Sequence, residues 1–180
     1  MDQPVVLVLA SGRGDRFIAS GGRGSKLQAL LAGKPVLQHT LDAVHASGLP
    51  WHLEDAGHPG MGDAIAAGVR ATRDAAGWLV LPGDLPLVQP GSLRRIAAAL
   101  QQQRVVVPTW QGERGHPVGF ASECRNDLMA LEGAQGAARL VQAEAAGGRV
   151  LKLPLDDRGI CTDIDTVADL AAAEQLLAQR

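Results

Sequence analysis

The chain alternates short apolar runs with longer amphipathic stretches. Residues 5–10 are apolar without alternation, the pattern of a strand buried on both faces. Residues 78–81 and 105–107 read the same way, 117–120 and 149–153 are further strand candidates, and 51–53 is a short one. Helical spacing fills the gaps. Residues 35–47 place Leu37, Leu41 and Val44 on one face, with Pro35 suited to a first turn and Gly48 to a stop. Residues 61–76 turn Ile65 and Val69 inward, 92–102 are amphipathic, and a helix spans about 136–146. The last helix opens on the capping-box pattern Thr166-Val-Ala-Asp169 and carries Val167, Leu170, Ala171 and Leu177 inward. Residues 11–25 and 54–60 read as loops.

Strands alternating with helices of this length predict an α/β fold: a three-layer, Rossmann-like, mostly parallel sheet with helices on both faces. Right-handed crossovers bring every strand-to-helix loop to one rim, where open α/β sheets bind ligands. The 180 residues fit one domain spanning 1–180. Aromatics make up 3% of the chain, so the core must come from Leu, Val, Ile and Ala. A net charge of −2 lacks the basic footprint of a nucleic-acid binder. No apolar run near the start is long enough to span a bilayer, and no basic segment precedes it as in a signal peptide. Cys124 and Cys161 form no Cys-x-x-Cys pair, which argues against a disulfide framework or zinc knuckle and for a reducing cytoplasm.

The first candidate chemistry lies straight after the first strand, in Leu9-Ala10-Ser11-Gly12-Arg13-Gly14-Asp15-Arg16-Phe17. Glycines there let backbone N–H groups approach phosphate oxygens, and Arg13, Arg16 and Lys26 supply charge to neutralise them. A dinucleotide fingerprint fails because Phe17 stands at its third glycine, and a Walker loop fails because no Ser or Thr follows Lys26. A flexible surface loop is the competing account, and the position after the strand with three cations favours phosphate.

These residues resemble the opening signature of the MobA-like NTP transferases, the family of molybdenum cofactor cytidylyl- and guanylyltransferases. The resemblance continues in order along the chain: Gly60-Met61-Gly62-Asp63-Ala64-Ile65, Gly83-Asp84-Leu85-Pro86, Arg114-Gly115-His116-Pro117-Val118, residues 133–139, and Asp163-Ile164-Asp165-Thr166. It implies a Mg²⁺-dependent transfer of a nucleoside monophosphate from an NTP, CTP or GTP, to a small phosphorylated acceptor such as molybdopterin, with a molybdoenzyme or its maturation factor as protein partner. By the same resemblance Leu9, Ala10, Gly12, Arg13, Gly14, Arg16, Lys26, Gly62 and Asp63 contact the nucleotide. Arg16, Lys26 and Asp84 carry catalysis. Three departures bear on base choice more than on chemistry. The loop from Arg16 to Lys26 is long, the strand and helix that the family places between Gly48 and Gly60 are almost wholly missing, and Leu85 stands where cytidylyl enzymes often carry Gln.

Asp84 ends a buried strand, so its carboxylate faces the ligand rim and can hold Mg²⁺, although a turn-capping role before Pro86 competes. A second carboxylate comes from Asp163 or Asp165. Asp165 has a rival role as cap of the helix at Thr166, which favours Asp163. His116 can reach acceptor or pyrophosphate, while an isolated histidine is more often structural. His39, His45, His52 and His58 lack metal-ligand spacing and read as solvated or packing residues. Two other functions stay open on this scaffold: a guanylyl- or sugar-phosphate nucleotidyltransferase, and a non-catalytic chaperone that binds a nucleotide or cofactor.

Overall fold

The computed structural model describes residues 3–179. In chain order its elements are β1 (Val5–Leu9), α1 (Asp15–Ala19), β2 (Leu30–Leu31), β3 (Lys34–Pro35), α2 (Val36–Ser47), β4 (Trp51–Glu54), α3 (Met61–Ala71), β5 (Gly77–Pro82), α4 (Pro90–Ala99), β6 (Val105–Trp110), β7 (Glu113–Arg114), β8 (Val118–Ala121), α5 (Arg125–Met129), α6 (Ala138–Ala146), β9 (Val150–Pro154) and α7 (Val167–Ala178), with short 3₁₀ turns at Ser122–Cys124 and Arg158–Cys161.

The central sheet has seven strands along β4-β1-β5-β8-β6-β7, with β9 on the other side of β6. The pairs β1–β4, β1–β5 and β6–β9 are parallel, while β8 lies antiparallel to both β5 and β6. Hence β4, β1, β5, β6 and β9 all run one way, and their carboxyl ends, from Leu9 to Pro82 to Trp110, meet one rim. The five residues of β1 are all buried. Their alternate side chains feed opposite layers. Val5, Leu7 and Leu9 pack with Ile65 and Val69 of α3, Leu128 of α5 and Val141 of α6. Val6 and Val8 pack with Val44 of α2 and with Leu93 and Ile96 of α4. A strand that is apolar on both faces therefore has helices on both faces, the three-layer α/β arrangement expected from the sequence. Among the described residues no helix is long and apolar enough to cross a membrane.

Several boundaries differ from the periodicity reading. The loop after β1 contains a helix, α1, whose Phe17 is buried with Leu31, Val36 and Ile164 in a third cluster; two glycine-rich flanks hid its single apolar anchor. Helix α3 stops at Ala71, before Thr72 bonds back to Gly68 O. The stretch between Gly48 and Gly60 keeps a four-residue strand, β4, in register with β1, so it is less reduced than the sequence suggested. The capping box at Thr166 and Asp169 is present. The inward face of α7 is another matter. Val167 is 38% exposed and Ala171 is exposed, whereas Ala173 is buried with Leu170, Leu176 and Leu177 packed around the third cluster. This helix is apolar nearly all round, so its own period could not select the contact face; the α1 and β2 region against which it lies does so.

On the far side of the sheet, Glu144 of α6 is buried and accepts from Arg149 Nε at 2.7 Å and Arg104 Nε at 2.9 Å. The Arg149 hydrogen bond, joined by Arg104, outweighs burial and holds this carboxyl below its ordinary value of 4.5. A depressed carboxyl pKa contributes stability above the unfolded value and loses it as pH falls through the folded one. Glu144→Gln should therefore melt below wild type at neutral pH, and the gap in Tm should narrow as the pH falls below the ordinary glutamate value of 4.5. A gap that stays constant over that range would remove the charge from this account.

Candidate active site

Backbone geometry puts Asp84 at the rim. Gly83 N donates to Leu9 O at 2.9 Å, which ties the end of β5 to the end of β1. Thr40 of α2 is buried, and its Oγ1 donates to Gly83 O at 2.9 Å. Ile164 N donates to Asp84 O at 3.0 Å. A Cβ on Gly83 would lie 2.9 Å from Leu37 Cδ1 and 3.0 Å from Leu9 O, so the turn needs a residue without one. Three separate segments thus fix the peptide on either side of Asp84, and the side chain inherits that placement.

At the rim Lys26 Nζ lies 2.6 Å from Asp84 Oδ2 and 2.9 Å from Asp165 Oδ1, while Arg16 Nη1 lies 2.8 Å from Asp165 Oδ2. Burial opposes the Lys26 charge, but Asp84 and then Asp165 outweigh it, so its pKa stands above the ordinary lysine value. Burial likewise opposes ionisation of Asp165, and Lys26 with Arg16 overcomes it to bring that carboxyl below its ordinary value. Asp163 goes the other way: burial, joined by the charges of Asp165 and Asp84, raises it. Asp165 does not cap α7, since Thr166 fills that role. Asp84 Oδ1 is buried and has no hydrogen-bond partner. A buried carboxylate oxygen left bare is costly unless a ligand completes it.

Three clefts meet at Lys26. One, of about 330 Å³, is lined by Leu9, Gly12, Arg13, His58, Met61 and Asp84 among others. A second, of about 360 Å³, lies beyond Asp84 and includes Arg114, His116, Cys161, Asp163 and Asp165. A third joins Gly12, Arg13, Gly14 and Arg16 to Lys26 and Asp165. A Cβ at Gly12 would meet no protein atom within 4 Å, so the loop leaves open space where a phosphate would sit. Gly14 has φ +69°, a left-handed turn that starts α1 and suits glycine. Arg16 is 76% exposed and reaches over the rim. Desolvation at the cleft wall pushes His116 below the ordinary histidine value, with Asp84 opposing and Arg114 assisting.

The structure thus brings together Leu9, Gly12, Arg13, Gly14, Arg16, Lys26, Asp84, Asp163, Asp165 and His116. Ala10 stands at the same rim, with its N–H given to Glu54 O at 2.9 Å. Gly62 and Asp63 are turned elsewhere. Gly62 is packed against the Glu132 backbone, its N–H donates to Gly133 O at 2.8 Å, and Asp63 Oδ2 accepts from Gly133 N at 3.0 Å. Their place in the structure is to tie α3 to the loop before α6. Sequence reading left out Arg114 as a cleft residue, and it assigned His58 to packing or solvent. The signal available for His58 was its position just before the helix that follows an edge strand, at the same rim as Leu9.

Among the described residues no three His, Cys, Asp or Glu side chains are grouped closely enough to cage a metal. Mg²⁺ needs no such cage, because it keeps several waters and takes one or two carboxylates with substrate phosphates. The unpartnered Asp84 Oδ1 and the facing Asp165 fit that requirement in number and hardness.

Comparison with known proteins places the chain. The MobA-like NTP transferase domain profile matches residues 6–149. The chain belongs to the MobA-like NTP transferase family. This MobA-like domain is 34% identical over 146 residues to 2-C-methyl-D-erythritol 4-phosphate cytidylyltransferase of Cereibacter sphaeroides strain KD131, covering 63% of the chain and 64% of that protein. It is 29% identical over 145 residues to the bifunctional protein GlmU of Xylella fastidiosa strain 9a5c, over 67% of the chain and 30% of GlmU. The chain therefore spans about a third of the length of GlmU and under two thirds of the cytidylyltransferase. In fold it is similar to Rv0371c from Mycobacterium tuberculosis H37Rv, with a TM-score of 0.77 at 23% identity over 96% of this chain and 98% of that one. A complex of Rv0371c with manganese gives a TM-score of 0.71 at 21% identity, again over 96% and 98%.

The clamp on the Gly83 carbonyl yields a direct test in this MobA-like domain. Thr40→Val keeps the shape of the side chain and removes the donor, leaving a buried carbonyl without it. Urea unfolding should show a loss of about 1–2 kcal/mol. An unchanged midpoint would show that Gly83 is held without Thr40.

Proposed function

We propose that this protein is a Mg²⁺-dependent nucleotidyltransferase that moves a nucleoside monophosphate, with CTP as favoured donor, onto a small phosphorylated acceptor such as molybdopterin, in the cytoplasm. The observation that carries this reading is Asp84: a carboxylate set between two clefts, one oxygen held by Lys26 and the other buried and bare. Two clefts sharing one carboxylate suit a reaction that joins two substrates. Membership of the family and a relative named as a cytidylyltransferase of a sugar-alcohol phosphate support the donor and the class of acceptor.

The chemistry follows from charge. An acceptor phosphate oxygen attacks the α-phosphorus, the bond from that phosphorus to the bridging oxygen breaks, and pyrophosphate leaves with the bridging electrons. No covalent step on the protein is needed, so catalysis is positioning plus neutralisation. Gly12 and Arg13 receive the triphosphate at the loop, and Arg16 and Lys26 neutralise charge as it moves to the leaving pyrophosphate. Asp84 and Asp165 would hold the metal, which would supply Lewis-acid stabilisation of the charge that develops on the phosphates. Asp165 is preferred to Asp163 because it already faces Lys26 across the rim and has no capping duty. Arg114 and His116 line the acceptor side, where the guanidinium supplies charge for a phosphate.

Pyrophosphate release, followed with each NTP, Mg²⁺ and a panel of phosphorylated acceptors that includes molybdopterin, tests the proposal. Release should be fastest with CTP; tight NTP binding without release from any pair would favour a binding protein instead. Asp84→Asn should lower Mg²⁺-dependent release by at least about a hundredfold while the melting curve stays cooperative. Turnover retained in that variant would take Asp84 out of the metal role. Arg16→Ala should raise KM for the NTP and lower kcat together, each by roughly tenfold, since the side chain meets both ground and transition state. Unaltered kinetics would leave Arg16 a solvated side chain.

A further inference from the structure

Glu54 ends the edge strand β4 directly beside Leu9 of β1. Its side chain is 8% exposed, and its carboxylate accepts from His58 Nε2 at 2.8 Å, His52 Nε2 at 3.3 Å and Ala56 N at 3.4 Å. Hydrogen bonds from His58 and then His52 outweigh burial and keep this carboxyl below the ordinary glutamate range. An ionised carboxylate only accepts, so the histidine nitrogens that face it carry protons. His58 is thereby fixed in ring orientation and in tautomer. With Nε2–H given to Glu54, the Nε2–H tautomer of His58 leaves a lone pair on Nδ1, and no described residue hydrogen-bonds to it.

His58 lines the same cleft as the phosphate loop. Among the residues lining that cleft, Arg13, Lys26 and Asp84 suit a triphosphate and its metal. His58, Pro59, Gly60 and Met61 form a consecutive stretch of the lining, at its α3 end, without a Lys, Arg, Asp or Glu. Met61 is 46% exposed there, and a thioether adapts well to the flat face of a heteroaromatic ring. A nucleobase belongs at this end. Cytosine and uracil differ on the edge that a ring acceptor would read, since cytosine offers an exocyclic amine where uracil carries a carbonyl oxygen.

We propose that His58, positioned by Glu54 and backed by His52, is the residue through which this cleft selects an amino-bearing base, cytosine over uracil. The inference rests on the reading that the cleft takes an NTP. Nδ1 accepts from the amine of cytosine, and the same lone pair opposes the carbonyl of uracil. Glu54 is a positioning residue, since it acts only through His58. Residues 55–60 run directly from Glu54 to α3, and His58 lies in that short connection.

The test is calorimetric binding of CTP and of UTP, each with Mg²⁺, to the full chain and three variants. Wild type should bind CTP about tenfold more tightly than UTP, the ratio expected for one directed hydrogen bond. His58→Ala should bring the ratio to about one with UTP affinity nearly unchanged, which also shows that the phosphate end is intact. Glu54→Ala should lose the preference, whereas Glu54→Gln keeps an acceptor for Nε2–H and should retain most of it. A preference that survives in His58→Ala, or equal affinities in wild type, would overturn the role of His58 alone. Failure of wild type to bind any NTP would instead overturn the nucleotidyltransferase reading, and this inference with it.

Discussion

Two carboxylates, Asp84 and Asp165, face one ammonium group, that of Lys26, where the sheet ends and the ligand rim begins. Lys26, Asp84 and Asp165 are largely withdrawn from water, and Arg16 covers Asp165 from the solvent side. Buried charges of this kind persist only while they compensate each other, so any one of them fixes the others. Lys26 comes from the loop after α1, Asp84 from the end of β5, and Asp165 from the residue before α7's cap. Chain segments more than fifty residues apart are thus tied at one point, and a polyanion entering the rim must rearrange that tie.

The rest of the fold prepares this contact. Parallel strands with helices on both sides bring their carboxyl ends to one line, and Leu9, Thr40 and Ile164 clamp the backbone around Asp84. Phe17 seats α1 in the cluster that also holds Leu31, Val36 and Ile164, so the glycine-rich loop and the segment bearing Asp165 share one apolar anchor. Rigid support behind and an exposed Arg16 in front suit a site that must hold charge in place yet admit a ligand.

The shortened stretch after α2 shapes the other end of the cleft. Glu54 and His58 stand at the edge of the sheet, on β4 and on the six-residue connection to α3. Trp51, at the start of β4, is 41% exposed.

Much of this was legible in the sequence because it depends on local rules. Uninterrupted apolar runs at β1, β5 and β6 require cover on both faces, and Thr166 and Asp169 announce a helix start. Pairing and facing were not legible, because they depend on which distant segment lies opposite. Periodicity could not orient α7, whose faces are nearly all apolar. Spacing could not separate Asp163 from Asp165, two residues apart, since only Lys26 and Arg16 arriving from elsewhere distinguish them. Nor could it show that Gly62 and Asp63 bind the loop before α6, or that Glu54 orients His58. The sequence by itself determined the main strands and helices, the layering and the rim; tertiary structure alone decided which charges meet there, because their energy depends on the distance between segments far apart in sequence and no local pattern encodes that distance.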